Sequence, residues 1–198
     1  MNDIHLLIHP VWLRLMHWLN ALAIVLLMMS GWRIYNATAF LGFSIPASVT
    51  LGGWLGGALM WHFAAMWVLA INGVLYIALN IFTGRLLSKF FPLSFKSFMA
   101  DLAAALRGKL AHADPRQYNT VQKLAYLFVM VDSLLLALSG LVLWKSVQFD
   151  LLRSLMGGYD GARLVHFFAM ATLAAFVLIH LVMVVLVPRT LVYMVRGR

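Results

Sequence analysis

Seven histidines and no cysteine define the metal chemistry open to this 198-residue chain. Without thiols there are no disulfides, iron–sulfur clusters, thiolate haem ligands or cysteine zinc sites, so any metal must rest on imidazole. Four histidines, His17, His62, His166 and His180, fall inside long apolar segments. His166 and His180 stand 14 residues apart. On an α-helix that is a rise of about 21 Å and a turn of about 1,400°, within about 40° of whole turns, so both share one face at two levels. Zinc or copper would want three or four ligands converging on one point. Imidazoles taken two by two, with no carboxylate or thiol beside them, suit haem iron with both axial positions filled. Such a centre has no open position for dioxygen or substrate, so its task is one-electron transfer. His5, His9 and His112 lie outside the apolar segments and are expected in solvated or interfacial positions.

The elements that must hold these residues are dictated by lipid. The chain is 64% hydrophobic and 11% charged, more apolar than an ordinary globular domain can hide. A spanning helix needs about 20 apolar residues, and the gaps between charges leave room for four, at about 11–32, 58–82, 122–145 and 163–188. Pro46 with Gly52, Gly53, Gly56 and Gly57 marks a connector between the first two. Span one lacks the basic n-region and small-residue cleavage site of a signal peptide and is expected to be retained. A net charge of +9 would suggest nucleic acid on a soluble protein, but on this background it is a positive-inside signal and implies no nucleic-acid partner. Arg14, the seven basic residues from Arg85 to Lys123, and Arg189, Arg196 and Arg198 fall on one side. Arg33, Lys145, Arg153 and Arg163 fall on the other. That asymmetry places both termini and the 84–121 loop in the cytoplasm. In the loop, Phe95, Phe98, Met99, Leu102, Leu106 and Leu110 recur at helical spacing, with Lys96, Arg107 and Lys109 among the polar positions. They predict a helix lying on the membrane surface. The expected fold is an all-α integral membrane protein, a four-transmembrane-helix bundle with an additional cytoplasmic amphipathic helix, forming one domain over 1–198.

The chain also repeats itself. Ser30-Gly31 is followed by Gly52-Gly53, Gly56-Gly57-Ala58 and His62-Phe63-Ala64-Ala65-Met66. Ser139-Gly140 is followed by Gly157-Gly158, Gly161-Ala162 and His166-Phe167-Phe168-Ala169-Met170. Two helical hairpins of the same direction are predicted, with His62 and His166 equivalent and at equal depth near the outer face. Span one enters from the cytoplasm, which puts His17 near the inner face, level with His180. The depth-matched pairs are therefore His62 with His166 and His17 with His180, two centres stacked as an electron wire across the bilayer.

These residues resemble the four-helix b-type cytochrome subunits of nickel–iron hydrogenases and formate dehydrogenases, grouped with bacterial cytochrome b561. The resemblance covers essentially the whole chain. It rests on His-Pro-x-x-x-Arg-x-x-His-Trp from His9 to Trp18, Trp61-His62-Phe63, Tyr118-Asn-x-x-Gln-Lys123, Gly161-Ala-Arg-x-x-His166, and His180. It implies two haem b groups, the inner held by His17 and His180 and the outer by His62 and His166. It further implies electron passage between the quinone pool and a partner redox subunit. Leu186 to Leu191 and the run from Gly157 to Arg163 look like the subgroup paired with exported molybdenum oxidoreductases of the sulfite-oxidase type.

Haem propionates are anionic and want Arg or Lys near a membrane surface. Arg33, Arg163 and Lys145 are the outer candidates and Arg14, with Arg189, the inner ones. Asp132 is the one acid within a span, placed either to relay protons to quinone or to orient a ligand imidazole. The resemblance places quinone near the inner haem, where Asn80, Tyr118, Asn119 and Gln122 are the polar candidates. Two other readings stay open: a stand-alone quinone-linked oxidoreductase like the superoxide-oxidising b561 proteins, and a small ion transporter using Asp132 and the histidines.

Overall fold

The computed structural model describes residues 8–108 and 118–197, without the side chains of 86 and 87. Among the described residues there are helices and no strands. Four helices are long and apolar enough to cross a membrane: α1 (Val11–Ala37), α2 (Leu55–Phe82), α5 (Thr120–Trp144) and α7 (Gly158–Leu186). Between and after them lie the short helices α3 (Arg85–Phe90), α4 (Phe95–Leu106), α6 (Asp150–Leu155) and α8 (Arg189–Arg196), with a 3-10 turn at Ala47–Val49. Side chains such as Val74, Val131 and Val185 are 68%, 67% and 78% exposed, which in a chain of this composition makes them lipid-facing.

The described residues fall into two compact units, one within Met1–Leu87 and Val192–Arg198, the other within Ser88–Leu191. Each is built on one antiparallel hairpin, α1 with α2 and α5 with α7. In the first, Ser30 meets His62 while Asn72 reaches back to Met16 and Asn20, so numbers rise on α1 as they fall along α2. In the second, Ser139 meets His166 and Asp132 meets Thr172. The touching faces include small side chains, Ala23, Ser30, Ala58 and Ala65 in one hairpin and Ser139, Ala162 and Ala169 in the other, all buried. Small residues let helix backbones approach where no hydrophobic effect drives them together.

The helix ends differ from the sequence expectation in instructive ways. Helix α1 continues past Arg33 to Ala37, because a charge that stops an apolar run need not stop backbone hydrogen bonding. Helix α7 likewise begins ahead of Arg163, at Gly158 after the left-handed Gly157 (φ 79°), and stops before Pro188, whose ring disfavours helical geometry in the residue preceding it. The amphipathic helix is α4, capped by the Ser94 hydroxyl and ended at Arg107 just before Gly108, whose φ is 78°. Lys109, Leu110 and His112, like His5, lie outside the described residues. Helix α5 begins on a reciprocal capping box between Asn119 and Gln122, and Asp101 of α4 accepts from the Thr120 amide at 2.7 Å. At the other end of the chain, Arg14 Nη1 donates to the Val195 carbonyl at 2.5 Å and the Ile8 amide to that of Gly197 at 2.8 Å.

The repeat seen in sequence is a repeat in backbone. A Cβ on Gly57 would stand 2.3 Å from the Gly52 carbonyl oxygen, and one on Gly161 only 1.9 Å from that of Met156. In both hairpins the residue five places earlier occupies the space a side chain would need. Gly161→Ala should therefore cost about 1–3 kcal/mol, seen as a lower midpoint in thermal unfolding of the detergent-solubilised protein. Gly73→Ala, where nothing lies within 4 Å of the added carbon, should leave that midpoint unchanged or raise it.

Candidate haem-binding site

Each hairpin carries two half-buried histidines. In the first, His62 Nδ1 lies 3.0 Å from Ser30 Oγ. In the second, His166 Nδ1 lies 2.9 Å from Ser139 Oγ. The glycine after each serine completes the match. A Cβ on Gly31 would stand 3.4 Å from His62 Cε1, and a Cβ on Gly140 would stand 3.4 Å from His166 Cε1. The imidazole, the serine and the bare backbone thus form the same constellation twice, near the connector end of each hairpin.

The remaining histidines lie away from the connectors. His17 precedes Ser30 by 13 residues on α1, about 20 Å of helix, and His180 follows His166 by 14 on α7, about 21 Å. Within each hairpin taken alone, then, one histidine stands at the Ser-Gly level and another about 20 Å below it. The aromatic neighbours of this lower pair differ. Trp18 meets the His17 ring edge-on at 5.5 Å, and Phe176 stacks on His180 at 6.1 Å and 12° between planes. The repeat fails at this lower level. Counting 13 residues back from Ser139 gives Tyr126 where the first hairpin has His17, and counting 14 on from His62 gives Tyr76 where the second has His180.

Polar groups between the two levels are held inside each hairpin. Asn72 Nδ2 donates to the Met16 carbonyl at 2.8 Å and to Asn20 Oδ1 at 2.6 Å, pinning α1 one residue from His17. Asp132 Oδ1 accepts from Thr172 Oγ1 at 3.0 Å, while Oδ2 is buried with no hydrogen-bond partner. Within its own hairpin the carboxyl thus meets a hydroxyl. Thr172, six residues from His166, carried no signal of its own in the sequence.

The other expected site residues are dispersed. Arg33, three residues beyond Ser30, lines a small hollow with Asn36, Ala37 and Leu55 at the connector end of the first hairpin. Arg163, one turn before His166, has Asp160 Oδ1 at 3.7 Å. Lys145 is exposed and stands over the Trp144 ring at 5.2 Å. Arg14 is engaged with the Val195 carbonyl near the chain's end. Asn119 and Gln122 are committed to capping α5. Asn80 is buried, donating to the Tyr76 carbonyl of its own helix at 2.8 Å. Tyr118 joins a ring cluster with Phe90 and Tyr126, at 6.2 and 5.0 Å.

These residues fit a haem better than a bare ion. Among the described residues no three or more of His, Cys or Asp gather where they could hold a metal ion. The imidazoles lie instead at separate levels, each of the two near the connectors beside a wall from which the side chain is missing. Four apolar spanning helices, three of them carrying histidines in this way, define a membrane cytochrome of the b type. The chain matches the family described as prokaryotic cytochrome b561 over residues 8–197, and it belongs to that family. It is 62% identical over 190 residues, 96% of each chain, to a putative protein-methionine-sulfoxide reductase subunit, YedZ1, of Azospira oryzae. The chain is thus a haem-binding membrane protein of the b561 type, as the sequence resemblance implied.

Because the Asp132 carboxyl bonds to Thr172 within its own hairpin, Asp132→Leu should leave haem content and the reduced haem absorption bands as in the wild type. Optical spectra of the purified variant check this.

Proposed function

We propose that the chain holds two haem b groups and carries electrons across the bacterial inner membrane, with both termini cytoplasmic. The outer haem takes His62 and His166, and the inner haem His17 and His180. The observation that carries this reading is that each hairpin, considered alone, presents one histidine at each of two levels about 20 Å apart. Two such hairpins would offer two imidazoles at each level, enough to hold two haems. When bound, the haems supply reversible one-electron chemistry.

The protein supplies the rest. His62 with His166, and His17 with His180, would hold the two irons and leave no ligand position open to dioxygen. Arg33 and Arg163 each lie one helical turn beyond the outer imidazole level of their own hairpin, where a guanidinium fork suits a propionate. Lys145, exposed at the end of α5, is a weaker third candidate, and Arg14 keeps an inner role only through the N–H groups that Val195 leaves over. The broken repeat at the lower level gives the inner pair surroundings unlike those of the outer pair, so two different potentials are expected.

Electrons enter from quinol near the inner haem. Tyr118 and Asn80 are the best of the polar candidates there, since Asn119 and Gln122 already satisfy each other, and Asp132 is a candidate proton carrier. Electrons leave toward a redox subunit on the outer side. The name of the Azospira relative, a reductase subunit, supports delivery to a partner that reduces its substrate. The resemblance to subunits of molybdenum oxidoreductases supports a molybdenum enzyme as that partner.

A haemochrome assay on the purified protein should give two haems b per chain. His17→Ala and His180→Ala should abolish one spectral component, and His62→Ala and His166→Ala the other. Loss of the same component from His17→Ala and His62→Ala would refute the pairing. In membranes, a quinol analogue should reduce both haems, and affinity capture of the tagged chain should bring down a soluble redox subunit.

A further inference from the structure

The two serines beside the outer histidines do more than fill space between helices. Ser30 Oγ lies 2.6 Å from the Leu26 carbonyl and 3.2 Å from that of Leu27. Ser139 Oγ lies 2.7 Å from the Leu135 carbonyl and 3.2 Å from that of Leu136. A hydroxyl has one proton and two lone pairs, and a carbonyl oxygen only accepts. In both serines the proton is thus directed back into the serine's own helix. Toward the imidazole the oxygen is left as an acceptor, so the ring nitrogen facing it, Nδ1, must carry the hydrogen. A neutral imidazole protonated at Nδ1 presents its lone pair at Nε2.

We infer that Ser30 and Ser139 are positioning residues that impose the same tautomer on His62 and His166, so that both turn Nε2 toward the outer haem. The inference rests on the reading that these two histidines are haem ligands. Gly31 and Gly140 complete the device. Their missing side chains let each ring lie against the backbone of the facing helix, and an added Cβ would press on Cε1, the carbon between the two nitrogens.

The arrangement has an electronic consequence. A hydrogen bond accepted from Nδ1–H makes the imidazole a stronger donor through Nε2, which favours the more highly charged, oxidised iron. Both outer ligands carry this bond, so the two effects act on one centre and in one direction. His17 and His180 lack the Ser-Gly element at their repeat positions, so the inner centre is outside its reach.

The test is an optical redox titration of the full-length protein with its haems bound, comparing wild type with Ser30→Ala, Ser139→Ala and the double variant. Each single variant should keep two haems and move one component toward easier reduction, by up to about tenfold in its equilibrium, where tenfold is about 59 mV for one electron. The double variant should move that component further, and the other component should stay in place. The moving component should be the one abolished in His62→Ala. Ser30→Thr and Ser139→Thr, which keep the hydroxyl, should titrate as wild type, and they should regain any haem that an alanine variant loses. An unmoved titration in the double variant with two haems bound, equal movement of both components, or failure of threonine to restore would overturn the inference. If His62→Ala and His166→Ala leave both haems in place, the ligand reading itself fails, independently of the serines.

Discussion

An imidazole buried among apolar helices has two nitrogens to satisfy, and lipid offers a partner for neither. Much of the structure follows from that constraint. One nitrogen can be given to iron, but the other needs an acceptor built into the protein at a fixed place. In each hairpin a serine hydroxyl on the facing helix lies 3.0 or 2.9 Å from that nitrogen, and the serine in turn is held by a carbonyl of its own backbone. The same economy governs other polar groups within the spans. Asn72 closes on Asn20 and a backbone carbonyl, and Asp132 closes on Thr172. Each such bond ties the two helices of a hairpin at one level, so satisfying polar atoms and setting helix register become the same act.

Helix approach is the other half of the design. Lipid is as apolar as a leucine side chain, so helices in a membrane gain from close contact rather than from leaving the solvent. Alanine and serine accordingly recur among the buried residues, beside larger ones such as Met16, Met28, Val142 and Leu173. The connector glycines 57 and 161 touch a carbonyl five residues earlier, which turns the chain sharply into α2 and α7 and leaves the histidines two and a half turns or less from those helix starts. The duplicated turn is what gives His62 and His166 equivalent places.

The duplication is incomplete where function asks for difference. Near the connectors the two hairpins agree residue by residue: serine, glycine, histidine and the alanine three places beyond it. About 20 Å away the agreement ends, and each histidine corresponds to a tyrosine in the other hairpin. On the two-haem reading proposed above, the two centres would have unlike surroundings, and haem potentials follow such contacts. The difference in aromatic neighbours, Trp18 for His17 and Phe176 for His180, is the visible form of that asymmetry.

How much of this was legible beforehand depends on the range of the interaction. The four spans, the two levels of histidine and the repeat follow from hydropathy and from helix geometry, which depend on residues a few places apart. The resemblance to b-type cytochromes rested on the same short motifs, and the family match agrees with it. The helix ends were less legible, because Arg33 and Arg163 interrupt the apolar pattern without interrupting the backbone ladder. Asn119 and Gln122, read in sequence as candidates for quinone, form a cap, a local bond that their spacing of three already allowed. What only the tertiary structure decided was which polar atoms meet: Ser30 with His62, Ser139 with His166, Thr172 with Asp132, Asp101 with the start of α5. The Ser-Gly pairs were visible as marks of a repeat, yet their role was not. A hydrogen bond between helices depends on how two surfaces are rotated and shifted against each other, and no single stretch of sequence contains that information.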